Sequence, residues 1–416
     1  MDGRGMLTYT YRYKIKPTQQ QVRQFEQYLS ICRSVYNYAL AERKAYLESR
    51  KCRVDCCSIA SEYIIPADAA YPSYHNQATA LTIAKNQFPH LKLVNAQVLQ
   101  QVLKRLDKAW SDFFNMPSRG FPRFRGHNRF RSFVFPQPGK NCLDKGRVKL
   151  PSIGWVRIRQ SRDYPTGFTA KRFQVVKKAS GYYLLITFQS VESVPEIMPG
   201  KVSIALDAGI GSFIHTSRNQ SIKAPLFLKQ SLMKLRMLQR RLKNKTKGSR
   251  NWLKAVKRIS QLHERIANAR RDWHFKLAHY ICDQTDNIFV EDINFNSWSR
   301  GLFRKQSLDS GIGSFINEIL PFVAWKRGKY YLKIDKNYSS QECPSCRLFT
   351  GKKTLSERVH KCQYCGAEMP RDLASCFVLE QRGRRAVGQP VNTEIACGDD
   401  ATGVLQLTLF DLVGNL

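Results

Sequence analysis

Between residues 7 and 15 the chain reads "LTYTYRYKI", with apolar and polar side chains trading places at every second position. That period predicts a β-strand with one face on a core. Pro17 ends the run, and Thr18 is placed to cap a helix. Val22, Phe25, Leu29, Cys32, Val35 and Tyr36 then recur at three- and four-residue steps, so the spacing predicts that helix. A second helical stretch is predicted over roughly 93–114, ending in "LDKAWSDFF". Residues 141–200 hold "RVKLPSIGWVRIRQ", "FQVVKKAS" and "YYLLITFQS". Short alternating strands parted by Gly and Pro suggest a small barrel or sandwich.

The second half changes rhythm. "VSIALDAGIG", residues 202–211, is a short apolar run that ends on Asp207 and small residues. Such an acid is either a turn former capping backbone N–H groups or a metal ligand at the mouth of a sheet. "SFIHTS" follows as another strand. Leu228, Leu232, Leu235, Leu238 and Leu242 step by three or four, and after "KNKTKGSRN" the pattern resumes at Trp252, Val256, Ile259, Leu262, Ile266, Ala269, Trp273 and Leu277. This predicts a helical hairpin. "NIFVEDINF", residues 287–295, again ends a β-type run in acids, Glu291 and Asp292. Neighbours on a strand point to opposite faces, so if Glu291 faces a site, Asp292 faces away. Asp372 opens a stretch with helical spacing at Leu373, Phe377 and Leu379, and the chain after Gly383 looks irregular.

Length changes this picture first. A chain of 416 residues is too long for one ordinary core, so several domains are expected. No apolar run reaches membrane length, and "MDGRGMLTYTYRYKIKP" lacks the apolar centre of a signal peptide, so a cytosolic protein without a membrane partner is expected. Charge changes it most. There are 68 Lys and Arg against 32 Asp and Glu, a net charge of +36. A polyanion, and nucleic acid before membrane, is the expected partner. The segment "SRGFPRFRGHNRFRSFVFP" interleaves Arg119, Arg123, Arg125, Arg129 and Arg131 with five phenylalanines. The arginines suit phosphate contact, and the phenylalanines suit core packing better than base stacking. From Lys223 to Lys276 there are 17 Lys or Arg against Glu264 and Asp272. That imbalance is too one-sided for internal pairing and favours phosphate contact, with Lys243, Lys245, Lys247 and Arg250 at the turn of the hairpin.

Twelve cysteines in a reducing compartment favour metal over disulfides. "CPSC" at 343–346 and "CQYC" at 362–365 are 15 residues apart. This spacing predicts that Cys343, Cys346, Cys362 and Cys365 bind one Zn²⁺, and four thiolates leave no open position, so its role is structural. His360 is read as a surface or outer-sphere residue. Cys52, Cys56 and Cys57 have no partner pair. The three acids Asp207, Glu291 and Asp372 remain. A sheet with a helix across it could bring them together, where Mg²⁺ prefers oxygen ligands and a pair of ions can assist phosphodiester cleavage.

At this point the chain resembles the TnpB family, transposon-encoded RNA-guided DNA nucleases related to the type V CRISPR effectors. "YRYKIKPTQQQ", "CRSVYNYALAERKAY" and "RGFPRFRGHNRFRSFVFPQ" are similar to its first half, "LDAGI" and "IFVEDINF" to its first two nuclease motifs, and "YSSQECPSC", "RVHKCQYCG" and "PRDLAS" to its zinc insertion and third motif. The resemblance implies an α+β multidomain fold: a wedge-type β-barrel (1–18 and 116–200) with an inserted helical recognition lobe (19–115), then a RuvC or RNase H-like nuclease domain (201–335 and 367–385) with a zinc-binding insertion (336–366) and a tail (386–416). It implies Asp207, Glu291 and Asp372 as catalytic carboxylates and ligands of two Mg²⁺. It also implies a guide RNA from the transposon end and a double-stranded DNA target beside a short flanking motif. Arg347 stands where the family commonly has Gly, and Pro370 where it commonly has Asp. The competing readings are an RNA-guided DNA-binding regulator with weak or no cleavage, and an unguided nuclease. The presence of all three acids argues against the first, and the large basic N-terminal half against the second.

Overall fold

The computed structural model describes residues 6–51, 65–66, 68–209, 211–298, 304–354, 357–391 and 405–407. Cys52, Cys56 and Cys57 lie outside them. The chain divides into two compact units, Met1–Val194 and Pro195–Leu416.

In the first unit, β1 (Met6–Lys16) leads into α1 (Gln19–Lys51). Thr18 caps that helix as expected: the Gln21 N–H donates to its hydroxyl, and its own N–H donates to the Gln21 side chain. Next come α2 (Tyr74–Gln87), a 3₁₀ turn (Pro89–Leu93) and α3 (Ala96–Asn115). The sequence spacing placed α3 but not α2. Six strands follow: β2 (Ser132–Phe135), β3 (Leu143–Asp144), β4 (Arg147–Leu150), β5 (Gly154–Arg159), β6 (Thr169–Lys178) and β7 (Gly181–Ser193). All pairings are antiparallel, in the order β2-β6-β7-β1-β5-β4-β3. The apolar stripes of α1 and α3 and one side of this sheet form a single core around Phe25, Leu40, Leu106, Phe133 and Phe188.

The second unit is built on a mixed sheet. Its strands are β8 (Ser203–Asp207), β9 (Ile214–Thr216), β10 (Gln220–Ile222), β11 (Asn287–Glu291), β12 (Tyr330–Ile334) and, in the stretch read as an irregular tail, β15 (Leu405–Leu407). Their order is β12-β11-β8-β9-β10-β15, with β12, β11 and β8 parallel and β9 antiparallel to β8. Between β10 and β11 stands the predicted hairpin, α4 (Phe227–Lys243) and α5 (Arg250–Gln284). Between β11 and β12 run α6 (Phe295–Trp298), α7 (Arg304–Ser310), α8 (Ile312–Ser314), a π-helical turn (Phe315–Ile319) and α9 (Leu320–Lys326). A short hairpin, β13 (Val359–Lys361) and β14 (Glu368–Pro370), precedes α10 (Arg371–Ala386).

Both faces of the central strands are covered, which explains their unbroken apolar runs. Ile204, Leu206, Ile288 and Val290 pack toward Trp273, Leu277, Ile281 and Leu320 on the α5 and α9 side. The alternate residues, Ala205 and Phe289, meet Leu379 of α10 on the other face.

Candidate nuclease centre

Strand parity fixes where two of the acids point. Asp207 alternates with Ala205, and Glu291 with Phe289, so both side chains belong to the α10 face. They stand at the carboxyl ends of neighbouring parallel strands, where open α/β sheets bind ligands. Asp292 has the opposite parity and instead accepts from Lys333 Nζ at 3.3 Å. Asp372 lies in the first turn of α10, where the helix dipole favours an acid. The helix thus carries the third carboxylate to the end of the sheet that holds the other two.

Electrostatics record the meeting. Burial pushes the Asp207 carboxyl up to about 8, helped by Glu291 and then Asp372 and opposed by Arg371. Burial also raises Glu291, against the hydrogen bond its Oε1 accepts from Ser339 Oγ at 3.1 Å. Acids gathered at a sheet end, where Arg371, Lys336 and Arg382 offset the effect of burial only in part, fit a divalent cation, which would remove the cost of ionising them. Among the described residues, only the four cysteines bring three or more donor atoms within 4.8 Å of one another.

Two residues at this centre carry no signal in the sequence pattern. Ser339 is buried beside Glu291 and holds it. His215, on β9, lies directly across the ladder from Asp207, and its Nε2 is 3.3 Å from Asp372 Oδ2. Burial lowers the basicity of His215, with Asp372 opposing, so the ring tends to the neutral form. A cavity of about 210 Å³ adjoins His215 and Asp372, lined also by Asn219, Ser221 and Arg358 but by neither Asp207 nor Glu291.

The four cysteines meet as the spacing predicted. Sγ of Cys343 is 3.7 Å from that of Cys365, and Sγ of Cys346 is 3.5 Å from that of Cys362. The two segments, Cys343–Cys346 and Cys362–Cys365, form the same kind of turn. The Arg347 N–H donates to the Cys343 carbonyl and the Gly366 N–H to the Cys362 carbonyl. Both residues take the left-handed conformation, with φ of 65° and 73°. The Cys362 thiol, against the push of burial, is drawn down to about 7 by backbone N–H groups and neighbouring thiols. Burial instead raises the Cys343 and Cys346 thiols, and the convergence of the four sulfurs is what fits a structural Zn²⁺. His360 is not a surface residue. It is fully buried, with Nδ1 against Lys353 Nζ. The module is tied to α10 by Gln381, which donates to the Pro344 carbonyl at 2.7 Å, and by the Arg382–Glu342 ion pair.

The basic residues singled out from the sequence are all exposed: Arg119, Arg123, Arg125, Arg129 and Arg131 in the first unit, and Lys243, Lys245, Lys247 and Arg250 on the hairpin of the second. The interleaved phenylalanines divide. Phe130, Phe133 and Phe135 are core residues, and Phe121 packs on Trp110 and Phe113, while Phe124 is 50% exposed.

Comparison with known proteins adds the following. Residues 188–300 match OrfB_IS605, described as "Probable transposase"; residues 6–52 match HTH_OrfB_IS605, "Helix-turn-helix domain"; residues 315–379 match "Cas12f1-like, TNB domain". The described part of 6–52 is a strand and one continuous helix. The chain is 28% identical over 407 residues to "Putative RNA-guided DNA endonuclease InsQ" of Escherichia coli (strain K12), covering 94% of each chain. It is 24% identical over 393 residues to "Putative RNA-guided DNA endonuclease" of Streptomyces pristinaespiralis, covering 94% of this chain and 90% of that one. Among solved structures, that titled "Cryo-EM structure of the Cas12f1-sgRNA-target DNA complex" superposes with a TM-score of 0.53 at 12% identity, over 90% of this chain and 99% of the other. That likeness is one of fold.

Proposed function

The chain belongs to the TnpB family, whose OrfB-type domains it carries, and from that premise we propose that it is an RNA-guided DNA endonuclease that hydrolyses phosphodiesters at Asp207, Glu291 and Asp372. The observation that carries the proposal is the convergence of those three acids from β8, β11 and α10. In this reading the mixed sheet with α10 across it is the RuvC-type nuclease domain, and the seven-stranded sheet is the wedge-type barrel with α1–α3 as its recognition lobe. Mg²⁺ ions bound by the three carboxylates would activate water and stabilise the leaving oxygen. The residues of the chain do the rest. Asp207 and Glu291 are held rigidly by a buried sheet, Ser339 fixes one oxygen of Glu291, and α10 carries Asp372. The exposed arginines and lysines hold nucleic-acid backbones. A guide RNA from the transposon end reads the DNA sequence by pairing, and the protein reads heteroduplex shape and a short flanking motif.

Sequencing the RNA that copurifies from cells carrying the native flanking DNA supplies the guide and hence a target. On that target Asp207→Ala is expected to lower cleavage by about a hundredfold or more while sparing binding. Cutting at the wild-type rate by that variant removes Asp207 from the mechanism. Tight guided binding by the wild type without any cutting would favour a DNA-binding regulator.

A further inference from the structure

We infer that Arg382 is a positioning residue for Glu291: its guanidinium folds residues 335–342 into the shape that sets Ser339 against the Glu291 carboxylate. The inference rests on the reading of Glu291 as a metal ligand, and it gives a role to a residue near the far end of α10 from Asp372.

The path can be followed bond by bond. Residues 335–342 leave β12 at Ile334, which lies directly across the ladder from Glu291. The Asp292 N–H donates to the Ile334 carbonyl at 2.9 Å, so the segment starts fixed beside that acid. Arg382 then gathers it. Nη1 donates to the Asp335 carbonyl at 3.2 Å and to the Asn337 carbonyl at 2.8 Å. Nη2 donates to Glu342 Oε2 at 2.7 Å. A planar guanidinium presents its donors as a fixed fork, so one group sets both ends of the segment. Between them Tyr338 takes the left-handed conformation, at φ 63°, and Ser339 follows it. A residue other than glycine keeps that conformation only where its surroundings over-determine it. Here the carbonyl just before Tyr338 is one that Arg382 holds. Ser339, buried, then donates to Glu291 Oε1 at 3.1 Å. Partners that orient a metal ligand are worth about ten- to a hundredfold in metal affinity or activity.

The test uses the protein with its copurified RNA and the variants Arg382→Gln, Arg382→Lys, Ser339→Ala, and Arg382→Gln with Ser339→Ala. Amide hydrogen exchange without divalent cation reads the segment itself. Arg382→Gln is expected to speed exchange across 335–342 about tenfold, and Ser339→Ala to leave it near the wild-type rate. The Mg²⁺ midpoint is then read from guided cleavage and, independently, from the rise in melting temperature. Arg382→Gln and Ser339→Ala should each raise it about tenfold, and the double change no more than Arg382→Gln alone. Burial raises Glu291, and the charge of Arg382 is among the groups that oppose it. Arg382→Lys keeps that charge and loses the fork, so it should behave as Arg382→Gln. Unchanged zinc content reports intact folding. Unchanged exchange in Arg382→Gln, or a midpoint raised about a hundredfold in the double change, overturns the inference. Wild-type behaviour of Arg382→Lys overturns it too, because charge alone would then suffice. An arginine that merely stabilises α10 would lower the active fraction and leave the midpoint where it is. The nuclease reading fails separately: a wild type that binds its guided target without cutting it removes the endonuclease, while non-additive shifts in the melting response keep Arg382 in its role.

Discussion

Arg347 holds a backbone conformation that L residues avoid, at φ 65° in the first cysteine turn, where Gly366 serves in the second. A side chain in the left-handed region costs about 1–2 kcal/mol, and glycine there gives back about 0.5–1 kcal/mol in chain entropy. The strain is the larger effect, so Arg347→Gly should stabilise the module slightly. Zinc retention against a competing chelator measures it, and weaker retention in the variant would contradict the account. Asp207 gives a second prediction at this scale. Its folded carboxyl is raised to about 8, far above the unfolded value of about 3.9. Between these values the native state keeps a proton that the unfolded chain releases, so without divalent cation stability must fall as pH rises from about 4 to about 8. A bound cation demands the ionised acid. The rise in melting temperature on adding Mg²⁺ or Mn²⁺ should therefore be small at pH 5 and largest at pH 8. Asp207→Asn should flatten both the pH dependence and the cation response, and a metal response equal at the two pH values would show that Asp207 is not being relieved.

The elements that carry the acids depend on close packing and on the zinc module. Gly383 interrupts α10, a place where glycine costs about 1 kcal/mol of helix propensity. Its reason is contact: a methyl group there would overlap the buried Phe289 ring of β11. Gly383→Ala or Val should cost about 1–3 kcal/mol by overpacking, despite the better helix former, and should weaken cleavage by shifting Asp372. Denaturant unfolding and a cleavage assay check both halves. The zinc turns act through the same helix. Gln381 and Arg382 grip the module, and Ser339, close before Cys343, holds Glu291. Cys346→Ser should lose the zinc and lower cleavage without touching a carboxylate; metal analysis that still finds one zinc per chain would refute the site. The same packing decides what was legible beforehand. Strands β8 and β11 are buried on both faces and α5 on one stripe, so runs and periods announced them, and the cysteine spacing announced the turns. Helix α2 fully buries only Gln77, which is clasped by the buried Arg43 at 3.1 Å, and its core-facing stripe of Tyr74, Ala78, Leu81 and Ala84 is only partly buried and half alanine, so its period is weak. His215 and Ser339 act through register and a tertiary hydrogen bond, neither of which leaves a pattern along the chain.

For the molecule as a whole the decisive quantity is the net charge of +36. Self-repulsion of that size disfavours a compact chain unless a polyanion shares its surface. The exposed arginines of 119–131 and the exposed lysines of the hairpin are the places where that sharing is expected. Arg125 spends part of its charge over the Tyr36 ring, and Arg131 donates to the Asn128 carbonyl. No ion pair is formed by Arg119, Arg123 or Arg129 among the described residues, which leaves their guanidinium groups to phosphate. Each phosphate contact with duplex nucleic acid releases counterions and contributes about 0.9 to the slope of log affinity against log salt. Arg123→Gln with Arg129→Gln should therefore lower that slope by about two, weaken binding across all sequences, and leave the cleavage rate of fully bound target unchanged. The triple change Lys243→Gln, Lys245→Gln and Lys247→Gln makes the same test on the hairpin. An unchanged slope in either set would mean that those charges form a solvated face, and that the polyanion lies on another surface of the protein.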